Sequence, residues 1–300
     1  MEFEEFLERR KLKRKLIFWR ITGIIFFTIL VLLLLTRNDG FVNKDYIAEL
    51  AVVNIIINDQ NRNKALSDLV EDKYAKALIV YINSPGGTVV GGESLYSNLR
   101  DISKKKPIVA VVGDLATSAG YMAAIASDQI YARESSVTGS IGVILQTANI
   151  TGLLEKVGIK AKAIKSSELK AQPNPLEPLS EGANKVAEDL VKDMHRMFVD
   201  MVVDRRKLTK ENALRLSDGR VYTGRQALKN GLIDGIGGKK EALNWLKENK
   251  SINIKLPLKQ IENRNQDTFI KNLFRGFSQK INFYDGLRLD GLISLWQPLD

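Results

Sequence analysis

One histidine and no cysteine among 300 residues leave few ways to make a nucleophile. A cysteine nucleophile is excluded, and with it thiolate zinc sites and histidine-rich metal sites. A Ser-His-Asp arrangement would have to use His195, in the run Val186–Val199. Apolar residues recur there at helical spacing (Val186, Leu190, Val191, Met194, Met197, Phe198), so the pattern predicts a long amphipathic helix. His195, between Met194 and Arg196, falls at the edge of that stripe and reads as a helix-surface residue. The chemistry that remains is a hydroxyl activated by a lysine, whose ammonium form an apolar pocket would disfavour.

Three stretches could supply the parts. In Asn83-Ser84-Pro85-Gly86-Gly87-Thr88, the adjacent glycines let the backbone approach a ligand closely, and Gly86 and Gly87 could direct two N–H groups at one oxyanion. A tight turn is the simpler reading of Pro85-Gly86-Gly87 taken alone. In Asp114-Leu115-Ala116-Thr117-Ser118-Ala119-Gly120-Tyr121, Ser118 follows an apolar strand and opens a run of small residues. That resembles a nucleophile elbow with Ala116 in place of its first glycine, although a serine N-cap explains the same local pattern. Ile159–Lys170 offers Lys160, Lys162, Lys165 and Lys170 as bases, and spacing does not choose among them.

These stretches need a scaffold. Apolar runs at Ile47–Ile57, Ala77–Ile82, Pro107–Gly113 and Gln129–Ala132 read as strands. Helical patterns at Ala65–Tyr74, Gly92–Ile102 and Ala119–Ala126 fall between them. Strands alternating with helices, the strands nearly all apolar, predict an α/β fold with a mostly parallel sheet covered by helices. Sites in such folds lie at the carboxyl ends of the strands, where the glycine-rich stretch and Ser118 both fall.

Upstream, Leu16–Thr36 is apolar apart from Arg20, and its flank is basic from Arg9 to Lys15. At about 1.5 Å per residue the run matches a bilayer core, and the positive flank keeps the N-terminus cytoplasmic. The expected organisation is a basic cytoplasmic tail over 1–15, a transmembrane anchor over 16–36 and a linker over 37–46. A catalytic domain over 47–250 and a C-terminal extension over 251–300 follow, with an amphipathic helix at Phe269–Lys280. The formal charge of +10 does not imply nucleic acid. Residues 1–20 hold seven Lys/Arg against four acids, and no basic cluster interleaved with aromatics follows.

Taken together, Asn83-Ser84-Pro85-Gly86-Gly87, Thr117-Ser118-Ala119-Gly120-Tyr121 and Thr138-Gly139-Ser140-Ile141-Gly142-Val143 resemble the signal peptide peptidase A family of serine peptidases. Ser217-Asp218-Gly219-Arg220-Val221-Tyr222-Thr223-Gly224 and Gly231-Leu232-Ile233-Asp234 continue the match. The likeness runs from about Ile47 to Leu246 and is to the short, single-domain bacterial form. It implies a fold shared with the Clp protease and crotonase groups, a Ser-Lys dyad, and hydrolysis of leftover signal peptides at the membrane without metal or cofactor. It makes Ser118 the nucleophile, selects Lys170 within Ser166-Ser167-Glu168-Leu169-Lys170-Ala171, carries over Gly86 and Gly87 as the oxyanion hole, and gives Ser140 the task of orienting the lysine.

The resemblance further implies a homo-oligomer with sites shared between subunits. It also implies contact with membrane lipid and a catalytic domain on the periplasmic side of a bacterial inner membrane. The chain departs from the family pattern at Ala119, which stands where the family has glycine. The lysine motif also lacks its glycine, first lysine and aspartate. That erosion is the best support for an alternative, a catalytically silent membrane-tethered scaffold of the same fold. An acyl-CoA enzyme would also use paired N–H groups but fits poorly with an exported domain.

Overall fold

The computed structural model describes residues 2–37, 44–261 and 293–295, with side chains described for 12–31 and 44–261. The chain divides into two units, Met1–Lys44 and Asp45–Asp300. The first is a single helix, α1 (Glu2–Arg37), 36 residues long. Its apolar side chains from Leu16 to Leu30 are exposed. Thr22 and Thr28 donate their hydroxyls to the carbonyls of Phe18 and Ile24, at 2.9 and 2.8 Å, so neither depends on solvent for a partner. Among the described residues no helix is long and apolar enough to cross a membrane. The expected span, 16–36, runs past residue 31, and the side chains beyond that point lie outside the described residues, as does the helix expected at 269–280.

The second unit alternates strands and helices. In order these are β1 (Tyr46–Ile56), α2 (Gln60–Glu71), β2 (Ala75–Thr88), α3 (Val89–Ser103), β3 (Ile108–Thr117), α4 (Ala119–Ile125), β4 (Gln129–Ala132) and β5 (Val137–Gly139). Then come α5 (Thr151–Lys156), α6 (Glu181–Arg206), α7 (Lys210–Leu216), β6 (Val221–Thr223), α8 (Gly224–Lys229), β7 (Gly235–Ile236), α9 (Lys239–Lys250), β8 (Leu258–Gln260) and β9 (Ile293–Leu295). The main path of the sheet is β6-β5-β3-β2-β1-β8, with β4 and β9 also paired to β3 and β2. Pairing is parallel except for β5 with β6 and β2 with β9. The α/β class and mostly parallel sheet expected from the sequence are therefore observed. β8, from the segment expected as an extension, adds to the sheet beside β1.

Alternation along the strands explains why the sheet is covered on both sides. Leu78, Val80 and Ile82 of β2, with Ile108, Ala110 and Val112 of β3, pack into a core shared with residues of α2, α3, α4 and α6. Their intervening neighbours Ala77, Ile79, Val109 and Val111 pack under Ala242 and Leu246 of α9. Successive side chains point to opposite faces, so a strand buried on both faces must be apolar at every position.

Three elements differ from expectation. α2 starts earlier, because Asp59 accepts hydrogen bonds from the N–H groups of Asn61 and Arg62 and fixes the first turn there. β2 does not turn at Pro85-Gly86-Gly87 but stays extended to Thr88, with Gly86 and Gly87 registered against Ile55 and Ile56 of β1. A Cβ on Gly87 would sit 1.8 Å from the Ile56 carbonyl oxygen, so only glycine allows these two backbones to come together. α6 is longer than the predicted stripe and is buried mainly in its second half: Phe198, Val199 and Val202 are buried there and Ala183 in its first turn, while Val186 and Leu190 are exposed.

Candidate active site

Ser118 stands where β3 ends and α4 begins. Its backbone has φ 56° and ψ −119°, a conformation uncommon for a residue with a side chain. The surroundings hold it there. Its N–H donates to the Gly139 carbonyl at 2.8 Å, and its own carbonyl accepts from Tyr121 and Met122 at 2.9 and 3.0 Å. The side chain makes no capping bond to α4, so the N-cap explanation for a serine at this junction does not hold. α4 is built from small residues because it is wholly buried, and a Cβ on Gly120 would lie 3.0 Å from the Ser84 carbonyl oxygen.

The glycine-rich stretch is fastened to this elbow. Thr117 Oγ1 donates to the Pro85 carbonyl at 3.0 Å, across the end of the β2–β3 pair, where Ser84 registers with Ala116. Ser84, buried, donates its hydroxyl to the Asn54 carbonyl at 2.5 Å and accepts from the Gly86 N–H at 3.1 Å. Of the two N–H groups expected to form an oxyanion hole, that of Gly86 is thus engaged within the chain, and an incoming oxyanion would share or displace that bond. Gly86 itself has φ 119°, which glycine alone adopts freely.

The third expected group, Ser140, follows the carbonyl that holds Ser118. It is buried with φ 48°, and its N–H donates to the Arg220 carbonyl at 2.8 Å. Gly139, at φ 89°, leaves the space that the Tyr222 ring fills; a Cβ there would meet the ring at 2.7 Å. Ser84, Gly86, Gly87, Ser118 and Ser140 are therefore brought to the carboxyl ends of β2, β3 and β5, where parallel sheets place their chemistry.

Lys170 is not brought there by a bond of its own. It lies in the loop between α5 and α6, is exposed, and its amine makes no hydrogen bond or ion pair among the described residues. With Lys162, Lys165, Ser166, Leu176 and Glu177 it lines a cavity of about 720 Å³ made by that loop itself. Lys165 is half-buried and paired with Glu177, and that bond holds the Glu177 carboxyl below the usual carboxylate range. Lys160 and Lys162 are exposed. The apolar enclosure expected around a catalytic amine is thus not supplied to Lys170 by its own loop. His195, on α6, contacts the Ser217 carbonyl through Nε2 at 2.8 Å, a structural tie consistent with its place on a helix surface.

Two contributors escaped sequence reasoning. Thr117 was legible only as a motif neighbour of Ser118, yet its hydroxyl joins the two candidate loops. Tyr121 is fully buried, and its hydroxyl donates to the Leu232 carbonyl at 2.8 Å, anchoring α4 to a turn more than a hundred residues downstream. Burial pushes that phenol well above its ordinary pKa, so it stays a donor at any working pH. Nothing local in the sequence marks either bond.

Comparison with known proteins bears on the same region. Residues 100–253 match the family model for peptidase family S49. A relative from Enterococcus faecium bearing the name signal peptide peptidase SppA is 35% identical over 246 residues, covering 81% of this chain and 70% of its own length. A Synechocystis protein named as a protease is 40% identical over 182 residues, covering 61% of this chain and 65% of its own. A solved ClpP1 mutant from Listeria monocytogenes overlaps 64% of this chain and 92% of its own at a TM-score of 0.44 and 14% identity. The matched interval contains the Ser118 elbow, Ser140 and the loop of Lys170, and the chain belongs to peptidase family S49, the family of signal peptide peptidase A, and is a serine peptidase.

Proposed function

We propose that this serine peptidase is anchored in a bacterial inner membrane by residues 16–36, with its N-terminus cytoplasmic. In this reading the domain faces the periplasm and degrades signal peptides left in or near the membrane by means of a Ser118–Lys170 dyad. The observation that carries the proposal is the elbow: Ser118 at positive φ, fastened through Thr117 to the Pro85-Gly86-Gly87 segment and through its N–H to Gly139. Neutral Lys170 accepts the Ser118 hydroxyl proton as Oγ bonds to the scissile carbonyl carbon. Gly86 and Gly87 N–H groups bear the oxyanion, and Ser140 orients the amine. Collapse of the tetrahedral species breaks the C–N bond, and the lysine ammonium returns the proton to the leaving amine. Water, deprotonated by the same amine, then hydrolyses the acyl ester and regenerates Ser118. Because Lys170 is exposed, its enclosure comes from a neighbouring copy of the chain, which makes the dyad a product of assembly. The anchor is supported by the composition of Leu16–Thr36 and its basic flank.

The test is hydrolysis of a leucine-rich signal peptide by the full chain in detergent micelles, beside Ser118→Ala and Lys170→Ala variants. Loss of about 10³-fold or more in kcat/KM in both is expected. Retained activity in Ser118→Ala would overturn the nucleophile. Retained activity in Lys170→Ala alone would move the base to Lys160, Lys162 or Lys165.

A further inference from the structure

The backbone ladder between β2 and β3 ends at the Ser84–Ala116 pair, just short of both the glycines and the serine. Pro85 has no N–H with which to extend it. A side chain carries the connection further: Thr117, buried and one residue before Ser118, donates its hydroxyl to the Pro85 carbonyl at 3.0 Å. That carbonyl and the Gly86 N–H belong to one planar peptide unit. The other end of the unit is held by Ser84, also buried, whose Oγ accepts from the Gly86 N–H at 3.1 Å and donates to the Asn54 carbonyl of β1 at 2.5 Å. A chain of hydrogen bonds thus crosses β3, β2 and β1 with the Pro85–Gly86 peptide at its middle. Thr117 is itself fixed from behind. The Ala116 carbonyl accepts from the Thr138 hydroxyl of β5 at 2.8 Å, and the Ser118 N–H donates to Gly139 at 2.8 Å.

We propose that Thr117 is a positioning residue for the peptidase reaction: its hydroxyl sets the distance and tilt of the Gly86 and Gly87 donors relative to Ser118. The inference rests on the oxyanion-hole reading of those glycines given above. Glycine makes such a support necessary. Gly86, at φ 119°, has no side chain to restrict rotation about it, so a peptide unit gripped at one end alone can turn and carry the Gly87 N–H off line. β1 borders these glycines, but its register shifts between Val53 and Ile55, so that ladder is interrupted opposite Ser84 and Pro85. An oxyanion donor acts on a charge that exists only while bonds are being made. An error in its aim therefore weakens the transition state and leaves the bound peptide as it was. Because Thr117 and Ser118 are adjacent, the grip moves with the nucleophile.

The experiment measures kcat and KM of the full chain in micelles for a quenched leucine-rich peptide, in wild type, Thr117→Val, Thr117→Ala and Thr117→Ser. It adds inhibition by a leucine-rich peptide aldehyde, whose carbonyl carbon takes the Ser118 oxygen and whose carbonyl oxygen becomes the anion in the hole. The matching peptide alcohol, which cannot react, is the control. Thr117→Val and Thr117→Ala are expected to lose about tenfold or more in kcat with KM within about twofold. Both should bind the aldehyde more weakly by the same factor and the alcohol unchanged. Thr117→Ser keeps the hydroxyl and is expected to recover most of the rate. A merely structural loss lowers the amount of active enzyme and leaves the aldehyde affinity of the remainder intact, and that result overturns the proposal. So does a raised KM at wild-type kcat, or a Thr117→Ser chain no faster than Thr117→Val. Gly87→Ala separates the proposal from the reading beneath it. A slowed Gly87→Ala beside a wild-type Thr117→Val sinks the proposal alone, whereas wild-type kcat in Gly87→Ala sinks the hole and the proposal together.

Discussion

At the scale of the residue, Gly87 is the position with least freedom. Replacing its hydrogen with a methyl group puts carbon 1.8 Å from the Ile56 carbonyl oxygen, so β1 and β2 must part at the proposed oxyanion hole. Gly87→Ala is expected to lower kcat by about 10²-fold, the effect of one displaced oxyanion donor, with far-UV circular dichroism preserved. A variant with wild-type kcat would remove Gly87 from the hole. Chemistry of this kind was legible in the sequence where it is local. Ser118 could be picked out because a strand-to-helix junction is written in consecutive residues, and the missing cysteine and near-absence of histidine did the rest. Lys170 is singled out only by family resemblance, since it and the three lysines before it, Lys160, Lys162 and Lys165, are alike as candidates in the sequence. The Thr117–Pro85 and Tyr121–Leu232 bonds were not legible at all, being made between segments that meet only in the folded chain.

Elements were readable to the extent that one pattern belongs to one element. The apolar runs of β1 to β4 are continuous because both faces of the sheet are covered, and that continuity identified them. The overrun of β2 through Pro85-Gly86-Gly87 was hidden, because glycine pairs signal turns in sequence and close backbone approach in structure with the same letters. In α6 the helical period was plain, but the period does not say which half meets the core. Phe198 is fully buried, whereas Val186 is 54% exposed. Phe198→Ala should therefore destabilise the fold by about 3–5 kcal/mol. Val186→Ala should change it by about 0.5 kcal/mol or less, both measured by urea denaturation. Equal effects would mean that the first half of α6 is covered in solution by another copy of the chain, since a free surface cannot lose that much.

For the whole molecule, the open question is whether one chain is enough. If the amine that serves Ser118 comes from a neighbour, the two inactive variants complement each other. Coexpressed in equal amounts, Ser118→Ala and Lys170→Ala chains would recover about a quarter of wild-type activity, the chance that a whole serine meets a whole lysine in a cyclic assembly. A dyad formed within one chain gives none. Both outcomes bear on how the chain is put together. β5 and β6 are antiparallel neighbours, with Gly139 opposite Val221 and Ser140 bonded to Arg220, so residues 141–219 leave the sheet and return to it at a single point. A detour closed at its base can be lengthened at a cost of only about 0.6 kcal/mol per doubling. The serine and its glycines lie before that detour, and β9, paired to Gly86 and Gly87, lies after it. Divergence between related chains can therefore concentrate there, changing what is recognised, how subunits meet and how Lys170 is presented, while the serine and its glycines are inherited intact.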